Sequence, residues 1–295
     1  MTGRILVTGA SGQLGSRILH HLLATSGVEA SAIVAGSRDP AKLTDLAQKG
    51  VETRRIDFDD AASLSEGFAG IDRLLIVSTD ALDGAGTRLR QHLAAVEAAR
   101  QAGVGRIFYT SMPGADDSLI TFAPDHLGTE AAIKASGIAH TIFRNGWYME
   151  NLFMALPQAL ASGQWYSAAG DGKIAHIARD DIARAIAADL ASPPAENVTY
   201  TLTGDTAHTT EEIAALVRDV TGKPLAVVHV SDAELAQGME HAGVPAPFIP
   251  TLVSFDANTR EGKIAMVTDN ARTFSGASLT SLKDFLEANT AALAG

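Results

Sequence analysis

The stretch ILVTGASGQLG, Ile5 to Gly15, constrains this chain more than any other. Gly9, Gly12 and Gly15 are spaced three apart, directly behind a run of β-formers. The following QLGSRILHHLLATS carries Leu14, Ile18, Leu19, Leu22 and Leu23 at helical spacing. A strand that turns at once into a helix through small residues brings bare main chain close to a ligand, where a Cβ would intrude. The unbonded first-turn amides and the positive end of the helix dipole then face an anion. At the first strand of a βαβ unit this pattern predicts a dinucleotide's pyrophosphate, with Thr8, Ser11 and Gln13 as small or polar partners. A plain strand-turn-helix with packing glycines is the bland alternative.

The same alternation continues. ASAIVAG, VETRRID, IDRLLIVS, VGRIFYTS and IAHTIFR read as further strands, separated by helical stretches. Such alternation means right-handed βαβ units and a parallel sheet covered on both faces, with ligands outside the carboxyl ends of the strands. After Arg144 the rhythm becomes irregular. Helices are expected from about Glu150, over DDIARAIAADLAS with Asp180 or Asp181 near its N-cap, and over TTEEIAALVRDVTG with a Thr/Glu capping signature. NVTYTLTG reads as a strand, and LTSLKDFLEANTAAL as one final amphipathic helix.

Composition narrows the function classes. A net charge of −11 repels nucleic acid and anionic lipid, so neither is an expected partner. No cysteine is present, which excludes disulfides and thiolate catalysis and suits a reducing, cytoplasmic setting. No signal peptide and no run of about 18 apolar residues is seen, so no membrane association is expected. The nine histidines show no metal-ligand spacing, and His20 and His21 read as surface or packing residues. No Ser/His/Asp set sits in a G-x-S-x-G elbow, so nothing suggests a hydrolase.

Several positions bear on the coenzyme. The second strand runs into SRDPAK, where Arg38 and Lys42 suit the 2′-phosphate of NADPH over the 2′-hydroxyl of NAD. Asp39 beside Arg38 weakens that case, and Arg38 as a solvated loop charge is the alternative. After the third strand, Asp57 is a candidate for the adenine edge and Phe58 for stacking on it; a loop acid beside a core aromatic fits the same residues. Ser78, Thr79 and Asp80 follow the fourth strand and are expected along the ribose and pyrophosphate.

Short-chain dehydrogenases carry a catalytic Tyr-x-x-x-Lys on the helix after the fifth strand, assisted by a serine. Here Ser111 holds the serine position, but His126 stands in the tyrosine slot and Glu130 in the lysine slot. His126, Glu130 and Lys134 share one helix face. Either His126 polarised by Glu130 acts as an acid or lines a pocket, or Glu130 pairs with Lys134 on a solvated face and His126 has no chemical part. Without a phenolate base, a fitting substrate accepts hydride with little acid help, as quinones and other planar electron-poor π-systems do. Within RNGWYMENL, Asn145 suits a nicotinamide amide and Gly146 a sharp turn. Trp147 and Tyr148 offer flat surfaces for a planar substrate, Tyr148 being the second catalytic candidate. Both aromatics as anchors between sheet and lobe is the alternative. In AAGDGKIA, Gly170 to Gly172 reads as a turn between short strands, with Lys173 reaching the cleft or serving as a turn charge.

VTGASGQLG, SRDPAK, TEAAIKASG and RNGWYMEN followed by AAGDGKIA resemble the NmrA-like atypical short-chain dehydrogenases, in particular the quinone oxidoreductase 2 type, over essentially the whole chain. The resemblance implies an α/β fold: a Rossmann-type doubly wound parallel sheet with a smaller C-terminal α/β lobe. It places an NAD(P)-binding domain over 1–150 and a substrate-binding lobe over 151–295, with the chain crossing back to the sheet. It implies NADPH in the cleft and reduction of a quinone-like acceptor by direct hydride transfer. Carried over residue by residue, the coenzyme positions are Gly9, Ala10, Ser11, Gly12, Gln13, Leu14, Arg38, Ser78, Thr79, Asp80, Asn145, Gly146, Trp147, Tyr148, Met149 and Glu150. The departures lie at Ser111 to His126 and in the C-terminal segment. The rival class is a non-catalytic NADP(H)-binding redox sensor; a sugar epimerase normally needs the absent Tyr-Lys pair. A homodimer is left open.

Overall fold

The computed structural model describes residues 3–82 and 85–293. Strand and helix alternate as β1 (Ile5–Val7), α1 (Gln13–Ala24), β2 (Ile33–Ser37), α2 (Thr44–Gln48), β3 (Glu52–Arg55), α3 (Ala61–Phe68), β4 (Arg73–Ile76), α4 (Thr87–Gln101), β5 (Arg106–Ser111), α5 (Ala123–Ala135) and β6 (Ala139–Asn145). The irregular part holds α6 (Leu156–Ser162), β7 (Gln164–Ser167), β8 (Lys173–Ile174), α7 (Arg179–Ala191), β9 (Val198–Leu202), β10 (His208–Thr209), α8 (Thr210–Thr221), β11 (Ala226–His229), α9 (Asp232–His241) and α10 (Ile249–Arg260). Three short helices follow: α11 (Asn270–Ser275), α12 (Leu282–Ala288) and α13 (Thr290–Leu293). Among the described residues no helix is long and apolar enough to cross a membrane.

Seven strands pair in parallel in the order β3-β2-β1-β4-β5-β6-β9. This is a Rossmann-type doubly wound sheet. Its central strands are apolar throughout because both faces are covered. In β1, Ile5 and Val7 face one helical layer and Leu6 the other. The first layer is built on α1 and α7, with Ile18, Leu19 and Leu22 against Ile182 and Ile186. The second is built on α3, α4 and α5, with Leu64, Phe68, Val96 and Ile133. A third core, around Leu156, Ile213, Val217 and Phe285, belongs to the lobe. Since strand order reverses between β1 and β4, their outgoing loops diverge and open a crevice at the carboxyl ends.

NVTYTLTG becomes β9, which returns from the irregular part to pair with β6. The expected capping box at Thr209 and Glu212 is present, and the AAGDGKIA turn joins β7 to β8. Asp180 and Asp181 stand near the N-cap of α7, Ala178, in its first turn, as expected. Asp180 reaches His21 on α1 at 3.0 Å, and Asp181 accepts from the Thr280 amide at 2.8 Å. One expectation needs correction: the final helix is not continuous. It begins after Ser281 and breaks at Asn289 (φ −116°, ψ 16°), whose side-chain amide donates to Phe285 O at 2.8 Å. A local side-chain bond of this kind competes with the helical ladder.

Candidate functional site

The crevice between β1 and β4 is lined by the glycine turn and the segment from Val77 to Asp80. Thr8 ties them together: its hydroxyl accepts from the Val77 amide at 3.0 Å. Gly9 has φ +61°, in the left-handed region. Gly12 is the N-cap of α1, supplies no side-chain cap, and no acid occupies the first turn. The positive end of α1 is thus uncompensated, and Ser11, Gly12 and Gln13 are exposed there. Ser11 Oγ meets Ser37 Oγ at 3.0 Å, which joins the turn to the end of β2. Leu14 and Ala10 are buried in the core below.

Around the second strand the arrangement favours Arg38. Asp39 caps the short 3-10 turn, its carboxylate accepting from the Ala41 amide at 3.1 Å. Arg38 makes no hydrogen bond or ion pair among the described residues and stays available. Asp57 is taken up locally, accepting from the Asp59 amide and from Arg55. Phe58 packs on the core layer with α3. Ser78 and Thr79 are anchored through their amides, to Thr110 Oγ1 at 2.9 Å and to His92 Nε2 at 3.0 Å. Asp80 is exposed.

At the end of β6, Asn145 is 7% exposed, and neither side-chain amide atom makes a well-aligned hydrogen bond, the Tyr148 hydroxyl being the neighbour that comes nearest to one. An amide of this kind at the carboxyl edge of the sheet, with the glycine turn at the same edge across β5 and β4, fits the carboxamide and pyrophosphate at the two ends of a nicotinamide dinucleotide. Gly146 serves close approach: a Cβ there would lie 2.8 Å from Leu202 O. Trp147 packs on Phe255 with ring centroids 4.3 Å apart. The Arg179 guanidinium lies 4.6 Å from the Tyr148 ring centre. Burial pushes the Tyr148 phenol above its ordinary range, and the Asn145 and Arg179 neighbours offset this only in part. Met149 is buried in the lobe core, and Glu150 accepts from the Arg179 amide, so its carboxylate caps α7.

The slots of the absent Tyr-Lys pair hold two separate polar clusters; the Glu130–Lys134 pair of the second reading is present, but on a buried face and not a solvated one. Glu130 does not touch His126 and does not face solvent. It is 0% exposed and takes Arg144 of β6 through two bonds of 2.9 Å and Ser111 Oγ at 2.7 Å. Lys134 lies further off, at 3.4 Å. Burial pushes the Glu130 carboxyl up, but the bonds from Arg144 and Ser111 outweigh it and hold it below the usual value. His126, 4% exposed, accepts from Arg88 through Nε2 at 3.0 Å, so its Nδ1–H donates to the Tyr109 oxygen at 2.7 Å. Burial and the Arg88 charge hold it well below the usual imidazole range. It is neutral, doubly engaged and shielded, so a Glu130-polarised acid is excluded. His92, depressed to about 3 by burial and Arg88, completes the cluster. Arg88, His92 and Tyr109 went unnoticed in the sequence because nothing in their spacing marks them.

Trp147 leads from this edge into a cavity of about 780 Å³, bounded by β7, α9 and α10 and lined also by Trp165, His176, Leu252, Phe255 and Asp256. No sequence pattern pointed to its far wall. Lys173 stays on the turn, facing Glu212 at 3.6 Å.

The sequence model of the NmrA-like family matches residues 1–276. Quinone oxidoreductase 2 of Escherichia coli K12 is 38% identical over 271 residues, which is 92% of this chain and 92% of that protein. The crystal structure of NADPH-dependent quinone oxidoreductase from Escherichia coli complexed with NADPH superimposes with a TM-score of 0.92 at 36% identity, over 97% of this chain and 99% of that one. Triphenylmethane reductase from Citrobacter sp., complexed with NADP(H), superimposes with a TM-score of 0.90 at 35% identity, covering 96% and 99% of the respective chains. With the crevice, the Asn145 amide and these likenesses together, the chain belongs to the NmrA-like family.

Proposed function

We propose that this protein is an NADPH-dependent reductase of quinones or similar planar electron-poor acceptors, acting in the cytoplasm. One observation carries the reading. The positions an alcohol dehydrogenase uses for its base hold buried, fully engaged groups, while the adjoining Trp147 opens onto a large, mainly apolar cavity. The relatives named above are reductases whose names state quinones and triphenylmethanes. A chain without cysteine supports a reducing compartment.

Bound NADPH supplies a hydride. The residues of this chain bind and orient. The turn from Gly9 to Leu14 holds the pyrophosphate on main-chain amides, Arg38 the 2′-phosphate, and the Asn145 amide the nicotinamide carboxamide. Residues 1–150 carry most coenzyme contacts and 151–295 most of the acceptor cavity. Trp147 stacks against the acceptor and helps exclude water. Tyr148 does not line the cavity; it stands beside Asn145 and Arg179, where, protonated at neutral pH as any ordinary phenol is, it would donate a hydrogen bond to an acceptor oxygen at the nicotinamide end of the crevice. Orientation of this kind is worth up to roughly 7–11 kcal/mol in favourable cases.

NADPH oxidation followed at 340 nm with a panel of benzoquinones and naphthoquinones tests the activity; tight NADPH binding without turnover instead identifies a redox sensor. Tyr148→Ala should lower kcat/KM for quinones about tenfold while the Kd for NADPH changes little, the loss of one hydrogen bond. Unchanged turnover removes Tyr148 from the mechanism. Arg38→Ala should weaken NADPH about tenfold to a hundredfold, the loss of a charge-assisted pair, and leave NADH nearly unaffected. Equal losses for both coenzymes refute the 2′-phosphate assignment.

A further inference from the structure

The walls of the cavity carry a charge bias. Among the described residues that line it there is no lysine or arginine, whereas Glu234 and Asp256 both do. Asp256 lies on α10 beside Phe255. Its Oδ2 accepts from the Ala168 amide at 2.7 Å and from Ser167 Oγ at 3.0 Å, which fixes the carboxylate; Oδ1 makes no hydrogen bond among the described residues. Neighbouring cations pair chiefly with other groups. Arg260, one turn along α10, forms a two-pronged pair with Asp232 and donates to Ala168 O; its charge also reaches Asp256, but burial prevails and pushes the Asp256 carboxyl above its ordinary value. Lys263 is bound to Asp117, and Lys173 faces Glu212.

A second, independent feature points to a ligand. His176 lines the same cavity at 5% exposure, and its Nδ1 has no hydrogen-bond partner. It adds no positive charge, since burial and the neighbouring His208 hold it down to about 3. The lining also holds the Trp147–Phe255 pair, whose π faces attract delocalised positive charge. The net charge of −11 adds a long-range repulsion of anions.

Resting on the reductase reading and narrowing its substrate, we propose that this cavity selects acceptors by charge. It takes planar acceptors that are neutral or carry delocalised positive charge and turns away anionic ones, and Asp256 is the residue that sets the preference. Asp256 acts on binding. An acceptor whose own delocalised charge is discharged by the hydride is attracted to the carboxylate more strongly before the reaction than in the transition state, whereas a fixed ammonium outside the reacting ring is attracted equally in both. Removing the carboxylate therefore raises KM for a cationic acceptor and leaves kcat unchanged or higher.

The test uses one ring system in three charge states: 1,4-naphthoquinone carrying a trimethylammonium, a methyl or a sulfonate group. The chain's two tryptophans, Trp147 and Trp165, both line the cavity, so quenching of intrinsic fluorescence reports its occupancy. The titration is run on the intact protein saturated with NADP+, where no turnover occurs. Affinity should fall from cation to neutral to anion by about tenfold per step, the order expected for charges roughly 10 Å apart in a partly screened pocket. Asp256→Asn, which keeps the shape, should remove most of the roughly hundredfold cation-to-anion spread and, in steady state, act through KM. Met154 also lines the cavity and is 64% exposed, so Met154→Lys leaves the core intact and should bring the sulfonate close to the methyl compound. A sulfonate that binds as well as the methyl compound overturns the proposal, as does a spread that neither variant alters. A charge-ordered spread without NADPH oxidation by any of the three upholds the selectivity and removes the reductase reading. Equal turnover and equal binding of all three do the reverse.

Discussion

Gly15→Ala is expected to lower both stability and coenzyme affinity. The added Cβ would lie 2.3 Å from Gly9 O and 2.9 Å from its carbonyl carbon. Both are main-chain atoms, so no rotamer relieves the clash. Either α1 must lift from the turn or the left-handed Gly9 must move. Neither is cheap, because Ile18, Leu19 and Leu22 lock α1 between the sheet and α7. Overpacking costs about 1–3 kcal/mol, and a fixed main-chain obstacle belongs at the top of that range. A loss of about 3 kcal/mol lowers Tm by roughly 5 °C in a chain of this size. NADPH binding should weaken more than tenfold, since the same displacement moves the first-turn amides. Scanning calorimetry and titration calorimetry read the two effects. Gly12→Ala is the control: its Cβ would meet Gly9 O at 3.1 Å, so its stability loss should be clearly smaller. A Gly15→Ala protein that melts and binds like the parent would mean that α1 does not approach the turn this closely.

Glu130→Ala should be the most damaging single change on α5. It strands the Arg144 guanidinium and the Ser111 hydroxyl, both turned toward a carboxylate that is then missing. Removing one partner of a buried ion pair costs about 3–5 kcal/mol, and the lower end applies because Asp116 at 3.4 Å offers Arg144 a substitute. The pH dependence has a definite sign. The folded-state pKa of Glu130 lies below its ordinary 4.5. Its contribution is therefore complete above that value and is lost as pH falls through the folded-state pKa. Urea unfolding at pH 7 and in acid should show the parent and Glu130→Ala curves converging in acid. A gap that persists unchanged in acid would assign the loss to packing instead of charge.

The sheet was legible because apolar runs bounded by amphipathic helices leave few alternatives once the glycine turn marks the first βα junction. Leu6 and its neighbours need apolar surroundings on both sides, and only a doubly covered sheet provides them. The capping box at Thr209 was equally plain, because its partners are three residues apart. The polar clusters were not legible. Helical spacing shows that His126, Glu130 and Lys134 share a face, but not what that face meets. Glu130 meets Arg144 of β6 and Ser111 of β5, and His126 meets Tyr109 and Arg88. The cavity wall is harder still: Ser167 and Asp256 are 89 residues apart and carry no shared pattern. The break at Asn289 was missed for a local reason, since its amide looks ordinary until it is seen bonded to Phe285 O.

The return of the chain through β9 has a consequence for how such a protein can be taken apart. If the chain from α7 through β9 were removed, Thr141 to Asn145 would become a bare ladder and α1 would lose the α7 surface that covers it. The two halves are threaded through one another and are not modules in series. Exchange of acceptor preference between relatives thus has to proceed by grafting the segments around the cavity, such as α9 and α10, while α7 and β9 stay with the sheet they complete.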